Sequence, residues 1–257
     1  TVHHIVADGW SVPLMLSDLL ASYAPEGEQQ QLPPAPSYRD YLAWLSDQDD
    51  EVARRAWRRV LDGLPGATLL APAGTDPAEA TGHLVIDLPA DVSRALQARA
   101  RERGLTLSTV VQAAWGVVLG RLTGRTDVVF GSTVSGRAAG VPGIESMVGL
   151  FVNTVPVRVQ TDPGQPFAHL AAQLQSAQAE LLGHQHLGLG ELQRLAGADG
   201  DLFDTLVVVE NYPMPDEVRD PSGTVEIADV RFVESGHYPF TVTVLPEPGL
   251  KAYAAEA

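Results

Sequence analysis

The stretch TVHHIVADGWS, residues 1–11, sets His3 and His4 side by side, with three residues between them and an Asp8-Gly9 pair. Val2 to Val6 reads as a short buried strand. On a strand, Val2, His4 and Val6 share one face, while His3 and Ile5 share the other. The two imidazoles then cannot both reach one reacting atom, so one is structural and the other is free to face a cavity. Asp8 falls where the strand gives way to a helix that Ser11 can cap. A carboxylate there is stabilised by the helix N-terminus and can hold the turn or pair with an arginine. Gly9 permits a backbone shape, or a close approach by substrate, that a side chain would block. A neutral imidazole beside a cleft suits proton transfer near pH 7, typically worth ~10²–10⁴-fold. That help suits an acyl donor already activated, such as a thioester attacked by an amine or hydroxyl.

The bulk composition narrows the field. The 257 residues carry 32 acidic and 17 basic side chains, a formal net charge of −15. Phosphate recognition needs a basic stripe, so nucleic acid is not an expected partner, and neither is an anionic membrane surface. Lys251 is the only lysine, which disfavours Schiff-base and Walker-type chemistry. Cysteine is absent, which removes thiolate nucleophiles, disulfides and cysteine metal sites together. No metal site is expected: strand neighbours diverge, and no third ligand lies at helical spacing. The apolar fraction of 45% supports a sizeable core. An acidic cytoplasmic protein is expected. The start within an apolar stretch, without a methionine, reads as a piece of a longer chain.

Periodicity predicts helices over Val12–Tyr23, Tyr38–Leu64 (in two pieces), Asp91–Arg103, Ser108–Leu122, Phe167–Leu182 and Gly190–Leu195. Strands are predicted at His83–Leu88, Val128–Val134, Val148–Val159, Leu206–Glu210, Val225–Val233 and Phe240–Leu245. Glu26–Pro36 is a proline-bearing surface loop, and the Gly/Pro/Ala/Thr-rich run Pro65–Gly82 is the best candidate for an inter-domain connection.

The motif spacing carries a resemblance. His3-His4-x-x-x-Asp8-Gly9 resembles the HHxxxDG signature of chloramphenicol-acetyltransferase-like acyltransferases, and Trp10-Ser11 after it resembles the condensation domains of nonribosomal peptide synthetases. Tyr38-Arg-Asp-Tyr-Leu-Ala-Trp44 is similar to the YxDYAxW element. Val148-Gly-Leu-Phe-Val-Asn-Thr154, with Arg158, is similar to GxFVNTxxxR, and Phe203–Tyr212 to a late strand. His184–Glu191 resembles HQDxPFE, with His186 in place of the aspartate.

That resemblance implies an α/β (α+β) fold of two lobes arranged as a V with mixed sheets. Residues 1–78 would be the end of an incomplete first lobe and 79–257 the second. It implies a tunnel at the lobe junction. At one mouth an upstream carrier domain presents an aminoacyl or peptidyl thioester on phosphopantetheine; at the other a downstream carrier presents an aminoacyl thioester. The downstream amine attacks the upstream carbonyl to form an amide. An adenylation domain would neighbour the carriers, and the domain itself would bind no cofactor. An α-ammonium has a pKa of about 7.7–8.0. His4 is the residue implied to accept its proton or hold the amine. His3 and Asp8 would orient the loop, and the amide of Gly9 or its neighbour would face the developing oxyanion. The arginine that faces the motif aspartate would come from the missing early part.

Trp10 is expected to line the acceptor side. The Gly131–Arg137 run lacks a Walker lysine and reads as a strand-end turn; by resemblance it lies near the tunnel floor, which makes Ser135 and Arg137 substrate-contact candidates. Asn153 is either a satisfier of backbone groups at a strand crossing or a substrate contact. Trp44, Trp57 and Trp115 fit core stripes. Competing readings are an epimerisation domain, a coenzyme A acyltransferase, and a non-catalytic module that recruits a tailoring enzyme. No G-x-S-x-G elbow supports a serine thioesterase.

Overall fold

The computed structural model describes residues 2–22, 32–71, 82–137, 140–210, 238–245 and 251–256. The expected strand Val225–Val233, Tyr212, Tyr23 and much of the Pro65–Gly82 run lie outside the described residues. The helices are α1 (Ser11–Ser22), α2 (Tyr38–Ser46), α3 (Asp50–Leu61), α4 (Ala90–Glu102), α5 (Leu107–Thr123), α6 (Phe167–Leu181) and α7 (Leu189–Leu195). The strands are β1 (Gly82–Asp87), β2 (Asp127–Val134), β3 (Asn153–Gln160), β4 (Thr205–Val209), β5 (Phe240–Leu245) and β6 (Lys251–Glu256). No single helix among the described residues is long and apolar enough to cross a membrane.

The described residues divide into two compact units, one from within 1–48 and 135–152, the other from within 49–134, 153–210 and 235–257. Within the larger unit, α3 packs with α6 and α7. Ala53, Ala56, Trp57 and Leu61 recur at helical spacing and are buried with Leu181, Leu187 and Leu192.

The larger unit holds one mixed six-stranded sheet in the order β1-β6-β5-β4-β2-β3. β4 is parallel to both β2 and β5, and the remaining pairs are antiparallel. β2 is rich in β-branched residues and covered on both sides. Val128 and Phe130 pack with Trp115 and Leu119 of α5 and Leu170 and Leu174 of α6. Val129, one residue out of phase, packs with Leu202 and Phe203 instead. α5 begins where Thr106 Oγ1 accepts the Thr109 N–H, and ends at Gly124 in the left-handed region, φ 68°.

In the smaller unit, Tyr41, Val141, Ile144, Met147 and Phe151 form the core, with Tyr38, Trp44 and Leu45 against it. Two expectations change here. Residues 2–6 do not form a strand: His4–Val6 is one 3-10 turn, and Val2, Ile5 and Val6 are exposed. A strand needs a partner for its backbone groups; no described strand runs beside this segment, and the Val6 N–H closes onto His3 C=O instead. The strand expected from Val148 begins only at Asn153. Backbone groups of residues 149–151 are engaged by the motif loop and α2, so they are not free for a ladder.

Candidate active site

Asp8 is the centre of the smaller unit's polar interior, with 1% of its surface exposed. Its Oδ1 accepts from Ser11 N (3.0 Å) and Arg137 Nη2 (3.0 Å), and lies 2.8 Å from Ser11 Oγ. Its Oδ2 accepts the Phe151 N–H (3.1 Å). The Asp8 N–H donates to Gly149 C=O, and Gly149 N–H donates to Ser11 Oγ, both at 3.1 Å. A buried carboxylate is tolerable only when paired and hydrogen-bonded, and Asp8 is both. Arg137 is equally enclosed, 3% exposed. Its Nη1 donates to Ile144 C=O (2.7 Å) and Met147 C=O (2.9 Å). The Phe151 ring lies beneath it, with the guanidinium carbon 4.1 Å from the ring centroid.

Each sequence candidate has a definite place. His3 is exposed, and its Nδ1 accepts the Ile5 N–H at 3.1 Å, capping the turn that carries His4. The His4 side chain is exposed, and among the described residues nothing hydrogen-bonds its ring. Gly9 follows the braced aspartate, and no described residue accepts its N–H. Trp10 is half-buried; its indole N–H donates to Glu145 C=O (3.3 Å), and its ring centroid is 5.8 Å from the Arg137 guanidinium. Ser135 is exposed and accepts the Arg137 N–H at 3.4 Å.

One expectation is corrected. The Nη groups of Arg137 are engaged with Asp8 and two carbonyls. Arg137 supplies, from within this chain, the arginine facing Asp8 that was expected from an absent segment. Asn153, in the other unit, satisfies backbone: its Nδ2 donates to the carbonyls of Gln185 (2.7 Å) and Leu187 (2.8 Å). The structure therefore brings Asp8, Gly9, Trp10, Ser135 and Arg137 into one unit with His3 and His4, and sets Asn153 elsewhere.

Sequence reasoning matched the Tyr38–Trp44 and Val148–Thr154 motifs but did not place Tyr38 or residues 149–151 among the site candidates. Tyr38 donates its hydroxyl to Leu150 C=O at 2.6 Å. A Cβ at Gly149 would fall 2.3 Å from the Tyr38 ring, which is why that position is glycine. Burial first, then the charge of Asp8, pushes the Tyr38 phenol up, with Arg137 acting in the opposite sense. No cluster of three or more His, Cys, Asp or Glu able to hold a metal occurs among the described residues.

A buried, doubly anchored aspartate just ahead of α1, with two histidines before it, is a framework holding an exposed imidazole at a fixed place. The Condensation domain family matches residues 1–251 of the chain. The chain belongs to the condensation-domain family. Chondramide synthase from Chondromyces crocatus is 41% identical over 252 residues, covering 96% of this chain and 6% of the relative. Vanchrobactin synthetase from Vibrio anguillarum is 40% identical over 253 residues, covering 96% and 9%. This condensation domain thus spans a small fraction of the length of the curated relatives it matches. Among solved structures, the first condensation domain of the calcium-dependent antibiotic synthetase, in complex with a substrate analogue, aligns with a TM-score of 0.74 at 24% identity. It covers 100% of this chain and 59% of that one. The X-domain from teicoplanin biosynthesis aligns at 0.75 and 21%, covering 99% and 62%. These two likenesses establish the fold.

Proposed function

We propose that this condensation domain is an acyltransferase that joins two carrier-bound substrates within a larger peptide synthetase. An upstream aminoacyl or peptidyl thioester is the donor, and the amine of a downstream aminoacyl thioester is the acceptor. Both ride on the phosphopantetheine of neighbouring carrier domains, which an adjacent adenylation domain loads. His4 accepts the acceptor's proton or holds its amine, and the amide of Gly9 or its neighbour stabilises the oxyanion that develops on the donor carbonyl. The proton leaves the attacking nitrogen as the C–N bond forms and the thiolate departs. Holding two tethered substrates together contributes more than the base, since proximity can supply ~7–11 kcal/mol.

One observation carries this reading: an exposed, unengaged His4 ring stands on a turn fixed by the fully partnered Asp8. The test loads two carrier domains with different amino acids and adds the synthetase bearing this domain. Intact-mass measurement should find a dipeptidyl carrier, and His4→Ala should abolish it. A change of stereochemistry without a dipeptide would point to epimerisation. Neither product, with a tailoring protein co-purifying, would point to recruitment. Unchanged dipeptide yield from His4→Ala would sink the assignment.

A further inference from the structure

α2 reaches the segment that anchors Asp8 through Tyr38. Its Tyr38 does two things to that segment. The hydroxyl fixes Leu150 C=O at 2.6 Å, and the ring fills the space beside Gly149. The same ring meets Phe151 edge-on, with centroids 5.1 Å apart and planes at 81°. The same residues 149–151 deliver a carbonyl to Asp8 N–H, an N–H to Ser11 Oγ and the Phe151 N–H to Asp8 Oδ2. The segment is thus clamped between a helix and the loop bearing the histidines. We propose that Tyr38 is a positioning residue for amide formation, setting residues 149–151 and, through them, Asp8 and the His4 turn. This rests on the reading above for its effect on turnover, but its structural half does not. Because burial raises the phenol, the hydroxyl stays protonated and remains a donor at neutral pH.

Tyr38→Phe removes the hydroxyl and keeps the ring. In this chain the Phe151 and Ser11 amides should exchange with deuterium faster, by about 5-fold, the scale of one lost hydrogen bond, while β2–β3 amides hold. In the carrier-loaded synthetase, kcat should fall about 10-fold with KM for both carriers unchanged; this is below the ~10² lost to a 1 Å misplacement. Gly149→Ala, whose Cβ would push the Tyr38 ring and the segment apart, should give the same pattern. Unchanged exchange at Phe151 and Ser11 overturns the proposal. So does equal loosening of β2–β3, which is global destabilisation, or a rise in KM at constant kcat. If His4→Ala keeps full dipeptide yield, the amide-forming reading fails, and the exchange measurement alone then decides the role of Tyr38.

Discussion

Two arginines clasp the molecule, one in each compact unit, and they solve the same problem at different depths. Arg158 grips Asp127 with both faces of its fork, at 2.9 and 2.6 Å, and donates to the carbonyls of Val60, Asp62 and Gly63. It closes the C-terminal end of α3, whose last carbonyls have no partner within the helix. Arg137 grips Asp8 through one nitrogen and two turn carbonyls through the other. The side chains of the Arg158 pair are 10% and 19% exposed; those of the Arg137 pair are 3% and 0%. Asp127 and Arg158 sit two register positions apart on paired antiparallel strands, so their meeting follows from the hairpin. Asp8 and Arg137 are 129 residues apart, and only the tertiary fold joins them. The first clasp fastens a sheet to a helix, whereas the second fixes the loop that presents His4.

Removing Arg137 should cost the most. Arg137→Ala leaves Asp8 buried and uncompensated, a loss of about 3–5 kcal/mol by denaturant unfolding, with dipeptide formation lost as well. Gly136 comes next. Its φ is +65°, and an added Cβ would lie 2.0 Å from Phe151 O. Gly136→Ala should therefore exceed the ~1–2 kcal/mol of a left-handed backbone alone, measured the same way. Arg158→Ala should cost about 1.5–3 kcal/mol, the range for hydrogen bonds to a charged group, because water reaches part of that clasp. Its pH signature sharpens the contrast. Burial alone would raise the Asp127 carboxyl, but hydrogen bonds from Arg158 and Gln160 and the neighbouring guanidinium charges outweigh it and hold it low. The stabilisation is therefore present above the ordinary carboxylate value of about 3.9 and is lost as pH falls through the lowered folded-state value. The gap between wild type and Arg158→Ala should close on acidification, as followed by urea midpoints. The smallest effect belongs to Gly124→Ala at the end of α5, where φ is +68° but nothing lies within 4 Å. Its cost should be ~1–2 kcal/mol, by thermal melting.

Much of the larger unit was legible because its segments carry clear periods. α5, α6, β2, β4 and β5 stand within a residue or two of their expected bounds. Thr106 and Gly124 lie at the ends of α5, where capping chemistry places them. β6 escaped notice: Lys-Ala-Tyr-Ala-Ala-Glu has little intrinsic strand preference, and pairing with β1 and β5 on either side makes it a strand. The smaller unit was harder to read. Its motif residues were found, but the strand expected at residues 2–6 is a turn, since alternation of apolar residues says nothing about whether a partner edge is present. In the apolar stripe of α1, Leu16 and Leu20 are half-buried and Leu19 is 52% exposed.

The sequence alone carried the family resemblance, most of the helices and strands of the larger unit, and the pair of histidines ahead of an aspartate. Those features reside in residue type and spacing over short stretches, where backbone preference and side-chain period act. Only the tertiary structure decided what Asp8, Arg137 and Asn153 do. Whether a polar side chain meets substrate or braces a loop depends on which distant carbonyls and amides reach it once water is excluded. No local pattern records that proximity.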